Sequence, residues 1–343
     1  MHGELQSRMG SPELFPYSLD FRADAVSFIH LSRAGFDAAS FLDARVLSPG
    51  VVPQQVAWRE AAAAIHAAQL VETCDYIFHI GHVGSTLMSR LLGAHPGVFA
   101  LREPLVLRQL ASLQDHEGED HLAGCLKLLS RTFGSPQRAL VKATSFVSEF
   151  AERLLARSAA PRALMMYVAP ESYLATILGG PNSRQEARLL APARLQRLHR
   201  RIGENAWSLE TMSEGELLAL GWAAEMTALT AAAHSAADRL LPVDFDRFLQ
   251  RPQAHLHAAL RHLGIAANTA ELGHIIAGPH LRRYSKAPEY AYDAALRLEI
   301  LSEARVRHAA EIRGGLRWLE RGAARCTALR DALTLSQSVA DPC

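Results

Sequence analysis

The residues from Tyr76 to Arg108, YIFHIGHVGSTLMSRLLGAHPGVFALREPLVLR, constrain this chain more than any other stretch. A short apolar run, Tyr76 to Ile80, leads into Gly81 and Gly84, which enclose His82 and Val83. Ser85 and Thr86 follow, and then Leu87, Met88, Leu91 and Leu92 recur at helical spacing. The pattern predicts a strand, a tight glycine turn and a helix. Such a turn aims backbone N–H groups and the positive end of a helix at one point, which makes an anion site, usually for phosphate. A second apolar run, Val98 to Leu101, ends at Arg102, Glu103 and Pro104. A carboxylate at the end of a neighbouring strand faces the same crevice, where open parallel sheets bind their ligands.

The rest of the chain supplies further strands and helices in alternation. Strands are expected near Ala139 to Lys142, Ala163 to Ala169 and Arg239 to Phe245, giving five with the two above. Helical patterns cover Leu105 to Leu113, His121 to Thr132, Ser148 to Arg157, the SYLATIL segment up to Gly179 and Gly180, Leu189 to Ile202, Glu214 to His234, His255 to Gly264 and Tyr292 to Leu319. Gln114 to Asp120 reads as an exposed loop, GGPNSR as another, and His280 to Tyr290 as a basic, turn-rich loop. Alternating strands and helices imply an α/β fold with a mostly parallel central sheet flanked by helices. Before it, residues 1 to about 13 read as loose, Ala25 to Leu31 as a strand and the Ala-rich Val56 to Leu70 as a helix. No chemistry is evident there, and the expected role is a packing layer or lid. The last twenty or so residues read as frayed.

Composition closes off several function classes. The net charge is +1 with neutral histidines, which argues against a nucleic-acid or membrane partner drawn by bulk charge. Cys74, Cys125, Cys326 and Cys343 are scattered and form no CxxC pair, so neither a disulfide framework nor a zinc finger is indicated. A reducing, cytoplasmic compartment is the expectation. The first residues carry no apolar signal core, and no run approaches the ~18 apolar residues of a membrane span.

The glycine turn is not a Walker A motif, which needs four residues between its glycines and then Lys and Ser/Thr. Here two residues separate Gly81 and Gly84, and no lysine follows. The stretch instead resembles the P-loop sulfotransferases, in particular a bacterial subgroup with the string His-Val-Gly-Ser-Thr-Leu and the protein-tyrosine branch. Gly84-Ser85-Thr86-Leu87, Arg90-Leu91-Leu92, His95-Pro96 and the Glu-Pro pair at Glu103 carry the resemblance, and Tyr284-Ser285-Lys286 continues it weakly. It spans residues 74 to about 310, and only the first thirty are specific.

The resemblance implies a P-loop, three-layer fold and transfer of a sulfuryl group from 3′-phosphoadenosine-5′-phosphosulfate to a hydroxyl or amine, with no metal. It implies that Gly81, Val83, Gly84, Ser85, Thr86 and Leu87 hold the 5′-phosphosulfate, that Glu103 is the catalytic base and that Ser285 and Lys286 approach the nucleotide. Two positions depart from the family pattern. The loop cation that bridges phosphate and sulfonate is His82, which is charged only when protonated. Aligned on Pro170, the serine that grips the 3′-phosphate becomes Thr176, but its arginine partner becomes Val168. Arg184, Arg282, Arg283 or Lys286 are the candidates to replace that arginine.

Each of these residues also has a plainer reading. Ser85 can be the N-cap of an ordinary strand-to-helix turn. Glu103 can complement the dipole of the helix after Pro104. Thr176 can bond its own helix carbonyl. Lys142 can be a strand-end lysine reaching water, and Thr144 and Ser145 can cap a helix. His79 and His82 lack further ligands at zinc spacing. Asp244 in RLLPVDF resembles a Walker B end that would hold magnesium in a kinase, and otherwise caps a helix.

The sequence is therefore read as residues 1–73, an N-terminal segment packing on the core; 74–325, a sulfotransferase-like P-loop domain; and 326–343, a C-terminal tail. Partners are a small-molecule or peptide acceptor, with no nucleic acid or membrane, and a homo-oligomer is open. The alternatives are an ATP- and magnesium-dependent phosphotransferase and a non-catalytic nucleotide-binding module with a decayed fold.

Overall fold

Two sheets organise the chain. The protein is described from a computed structural model that covers residues 6–47, 50–113, 118–287 and 289–338. The first sheet is antiparallel, in the order β1 (Leu14–Asp20), β2 (Ala25–His30), β3 (Gln54–Ala57), with the short helix α1 (Arg33–Ala38) between β2 and β3 and α2 (Trp58–Ala67) after it.

The second sheet is built from β4 (Asp75–His79), β5 (Val98–Arg102), β6 (Arg138–Lys142), β7 (Ala163–Tyr167) and β8 (Leu240–Asp244), all parallel, in the order β5-β6-β4-β7-β8. Every residue of β4, β5 and β7 is buried, as expected of strands covered on both faces. From β4 the chain first builds outward to β5 and β6 and then crosses to β7 and β8. The carboxyl end of β4 is therefore the switch point of the sheet, the place where such sheets open a crevice.

Helices α3 (Ser85–Gly93), α4 (Leu105–Leu110), α5 (Glu119–Leu129), α6 (Ala151–Leu155), α7 (Pro170–Leu178), α8 (Pro181–Ile202) and α9 (Glu214–Ser235) follow the strands in turn. After β8 come α10 (Phe245–Gln250), α11 (Pro252–His262), α12 (Thr269–Ala277), α13 (Ala294–Arg307), α14 (Ala309–Arg325) and α15 (Thr327–Ser338). Helix α9 is apolar nearly all round and buries most of its length, which marks it as an interior helix. Its Trp222 indole N–H donates to the Val168 carbonyl at 3.0 Å and ties it to the end of β7.

The α/β class and the five parallel strands stand as expected. Several local expectations do not. Residues around 9–11 are not loose: Met9 is fully buried, and the buried Arg131 guanidinium donates to the carbonyls of Met9, Ser11 and Leu14 at 2.7–2.8 Å. Strands β1 and β3 were not foreseen, and Val56 and Ala57 belong to β3, not to the following helix. GGPNSR is not a loop, because Pro181 occupies the first turn of α8, where a missing N–H costs nothing. Helix α15 replaces the expected frayed tail and buries Leu329 and Ala332 completely. Positions 114–117 of the Gln114–Asp120 loop, Pro288 of the His280–Tyr290 loop, residues 1–5 and Cys343 lie outside the described residues.

Candidate active site

Past His79 the chain turns through Gly81 at φ +87°, His82 at φ +55° and Gly84 at φ +67° before α3 begins. A Cβ on Gly84 would sit 2.0 Å from Cε2 of Phe245, so the ring lies directly over the turn and only glycine fits. No side chain caps α3, so its first N–H groups are not taken by a cap. Ser85 and Thr86 are buried, and Thr86 Oγ1 has no hydrogen-bond partner. A buried polar atom without a partner is costly unless something else completes it.

This turn forms one end of a cavity of about 250 Å³. His82, Val83, Gly84, Ser85, Thr86, Leu87, Glu103, Thr176, Ser285 and Lys286 all line it. The sequence assigns these residues to one site from four separate segments, and the fold brings them together. Gly81 and Arg184 are not among the lining residues. Gly81 shapes the turn, its N–H donating to His79 Nδ1 at 3.0 Å, and Arg184 lies in the first turn of α8, where the adjacent Ser183 lines the cavity instead. Val168 is fully buried and is not among the residues that line the cleft. Thr176 lines the cleft but donates its hydroxyl to the Ser172 carbonyl at 2.7 Å.

Glu103 follows β5 in the left-handed region, at φ +53°. A non-glycine residue there costs of order 1–3 kcal/mol and persists only where the surroundings hold it. Its backbone N–H is held by the Lys142 carbonyl at 2.7 Å, and its carboxylate pairs with the Lys142 ammonium. Lys142 ends β6 and is wholly buried; burial pulls its pKa down, and the Glu103 carboxylate works against that shift. His79, at the end of β4, also lines the cavity with its Nε2 unpartnered.

The loop 280–287 closes the cavity from the other side. Arg90 of α3 holds it, with Nε donating to the Ser285 carbonyl at 2.9 Å. The same guanidinium reaches Ser40 Oγ at 2.8 Å, and Ser40 donates to the Lys286 carbonyl at 3.2 Å. Arg102 is committed to the carbonyls of Phe36, Asp37 and Ala39 at the end of α1, which settles its role as structural. Phe41 then lies with its ring centroid 5.8 Å from Lys142 Nζ and 6.0 Å from Lys286 Nζ, within cation–π reach of both. His82 Nε2 is 3.5 Å from Glu186 of α8, and the imidazole holds that carboxylate below its usual range.

The cleft also has an apolar lining: Phe245, over the turn, with Leu249, Leu281, Tyr284, Tyr292 and Leu301. Arg283 and Arg297 border it; Arg297 pairs with Asp246 at 2.8 Å and lies over the Phe245 ring, 5.0 Å from its centroid. Asp244 does not line the cleft. Its Oδ1 accepts from the N–H groups of Asp246 and Arg247 at 2.8 and 3.1 Å, the capping role. Among the described residues no cluster of three His, Cys, Asp or Glu side chains suits a metal ion, and no helix is long and apolar enough to cross a membrane.

The sequence singles out His79 only as a metal ligand and passes over Ser183, Glu186 and Phe245; Arg283, one of the candidates to replace the missing arginine, does line the cavity. A histidine two places before a glycine turn is a usable signal, because its ring can reach back to the turn. Phe245 and Glu186 have none, since each meets the turn from more than a hundred residues away.

No protein-family model matches this chain, and no curated protein does. Solved structures similar to it include the sulfotransferase domain from the curacin biosynthetic pathway, at 15% identity over 68% of this chain and 90% of that one, with a TM-score of 0.41. The sulfotransferase STF9 from Mycobacterium avium is similar at 11% identity over 73% and 82%, TM-score 0.41. A sulfotransferase from Alicyclobacillus acidocaldarius is similar at 14% identity over 76% and 100%, TM-score 0.37.

Proposed function

We propose that this protein is a sulfotransferase that moves a sulfuryl group from 3′-phosphoadenosine-5′-phosphosulfate to a hydroxyl or amine of a small-molecule or peptide acceptor. The observation that carries the proposal is the meeting, in one cleft, of an uncapped glycine turn and a carboxylate–lysine pair whose Glu103 is held at positive φ. Two features of that cleft suit an anion: the open Thr86 hydroxyl and the uncapped first N–H groups of α3. The apolar and aromatic lining, Leu249, Leu281, Tyr284 and Tyr292 among it, suits a flat base, and Arg283, Ser285 and Lys286 suit a second phosphate.

In this reading Glu103 takes the acceptor proton as the acceptor oxygen or nitrogen bonds to sulfur and the bond from sulfur to the bridging phosphate oxygen breaks. The electron pair leaves with adenosine 3′,5′-bisphosphate, whose charge the α3 N-terminus stabilises. The cation that His82 supplies only when protonated is present in the cleft as Lys142 and Lys286. Lys142 pairs with Glu103 and lines the same cleft, where it can meet a donor oxygen. The kinase-like alternative loses support because Asp244 is turned to a helix cap and no Walker lysine exists.

The test is thermal denaturation with adenosine 3′,5′-bisphosphate or with magnesium and ATP. The bisphosphate should raise the melting temperature, by an amount equivalent to about 2.7 kcal/mol at roughly hundredfold excess over its dissociation constant. Preferential stabilisation by magnesium-ATP would overturn the proposal.

A further inference from the structure

His79 closes β4, one residue short of the turn, and is only 6% exposed. Its Nδ1 accepts the Gly81 N–H at 3.0 Å. That bond fixes the tautomer of the neutral ring, because a nitrogen that accepts cannot carry the proton. The proton therefore sits on Nε2, which is buried and has no hydrogen-bond partner, and His79 is one of the residues that line the cleft. Burial pushes the ring's pKa well below the ordinary histidine value; Lys142 from β6, Lys286 from the 280–287 loop and His82 from the turn push it the same way, and the Ala143 carbonyl does not offset them. These shifts favour the neutral ring, which donates from one nitrogen only.

An N–H held in the interior without an acceptor is a standing cost to the folded chain. Thr86 Oγ1 is unpartnered in the same cavity. Two uncompleted polar atoms from adjacent segments, one a fixed donor and one a rotatable hydroxyl, describe a place for an oxygen-rich group.

We propose that His79 is a ligand-contacting residue whose Nε2–H donates to an oxygen of the anionic phosphate or sulfonyl group seated on the Gly84–Thr86 turn. This rests on the donor assignment above and adds to it a second, uncharged recognition element beside Lys142. The competing role is purely architectural: Nδ1 shapes the turn through Gly81, and Nε2 contacts nothing.

Two variants of the full chain separate these roles. In His79→Asn the side-chain oxygen can stand at the place of Nδ1 and keep the turn, but nothing reaches the place of Nε2. In His79→Gln the amide nitrogen reaches the place of Nε2, but the acceptor for Gly81 is lost. Calorimetric titration with adenosine 3′,5′-bisphosphate at pH 6.5 and 8 reads binding, and the melting temperature reads the fold. His79→Asn should melt at or above the wild-type temperature yet bind about tenfold more weakly, by the same factor at both pH values. His79→Gln should melt lower yet bind within about threefold of wild type. Wild-type affinity in His79→Asn, or weaker binding in His79→Gln than in His79→Asn, overturns the role of His79 while leaving the donor assignment standing. If wild type ignores the bisphosphate but binds inorganic pyrophosphate, and His79→Asn loses that binding, the donor assignment falls and His79 stands. If wild type binds neither anion, both fall.

Discussion

At the residue scale the cleft depends on one unusual carboxylate. Glu103 is held in a left-handed backbone conformation and paired with a buried lysine, so its position is fixed from both the main chain and the side chain. Under the proposed chemistry Glu103→Gln keeps a carbonyl oxygen for Lys142 but removes the proton acceptor. Turnover with 3′-phosphoadenosine-5′-phosphosulfate should fall by about 10²–10⁴-fold, the usual scale of a general base, while calorimetric affinity for adenosine 3′,5′-bisphosphate stays nearly unchanged. A fully active glutamine variant would remove Glu103 from the mechanism. The sequence makes Glu103 visible because it ends a strand next to Pro104. It does not make Lys142 visible as its partner: the two meet only through the register that pairs Arg102 with Lys142 across β5 and β6. The turn is legible for the opposite reason, since strand, glycines and helix are neighbours in the chain and their geometry is local.

At the element scale, the strands of the parallel sheet are legible, its edges included, while two strands of the antiparallel sheet are not. β3, the QQVA segment, buries only Val56 and lies at the edge of its sheet, so no apolar pattern announces it. β1 contains Pro16, which argues against a strand until the register irregularity between Pro16 and Ser18 is known. The long helix α9 was legible, but the charge inside it was not explained by its pattern. Glu225 is 1% exposed and pairs with Arg197 at 2.9 Å and Arg194 at 3.2 Å, both on α8, while Ser148 donates to its other oxygen. Burial alone would raise its pKa; the two guanidiniums and the hydroxyl together leave it lowered. Removing the charge leaves buried Arg194 without its carboxylate partner and Arg197 with only Glu149, at 3.8 Å, so Glu225→Gln should lose about 3–5 kcal/mol in urea unfolding at pH 7. The folded-state pKa is below the unfolded carboxylate value of about 4.3, so the contribution is complete above that pH and is lost as pH falls through the folded value. The gap between wild type and variant should therefore narrow only in acid. Equal stability at pH 7 would show that α8 and α9 are joined by packing alone.

At the scale of the whole molecule, the N-terminal segment is wired into the cleft through the backbone. Arg131 binds three carbonyls near β1, Arg102 binds the end of α1, and Leu42 exchanges hydrogen bonds with both sides of Glu103, its N–H donating to the Arg102 carbonyl at 2.7 Å and its carbonyl accepting from Leu105 at 3.1 Å. None of these bonds is readable from sequence, since each joins a cation or a strand edge to main-chain atoms about sixty residues away or more. Ser40 and Arg90 then fasten the same segment to the loop that carries Ser285 and Lys286. A ligand on the turn that also contacts Lys286 should therefore disfavour any opening that releases residues 39–47. Local opening free energy can rise by as much as the binding term, about 2.7 kcal/mol at roughly hundredfold excess of ligand. In hydrogen exchange with adenosine 3′,5′-bisphosphate, the amides around Ser40 and Leu42 should slow together with those of the turn. In Arg90→Ala, which cuts the link between α3, Ser40 and Ser285, the turn should still slow on binding while the segment around Ser40 slows much less. Protection confined to the turn in the wild-type chain would mean that the N-terminal segment is a passive cover and that the cleft is complete without it.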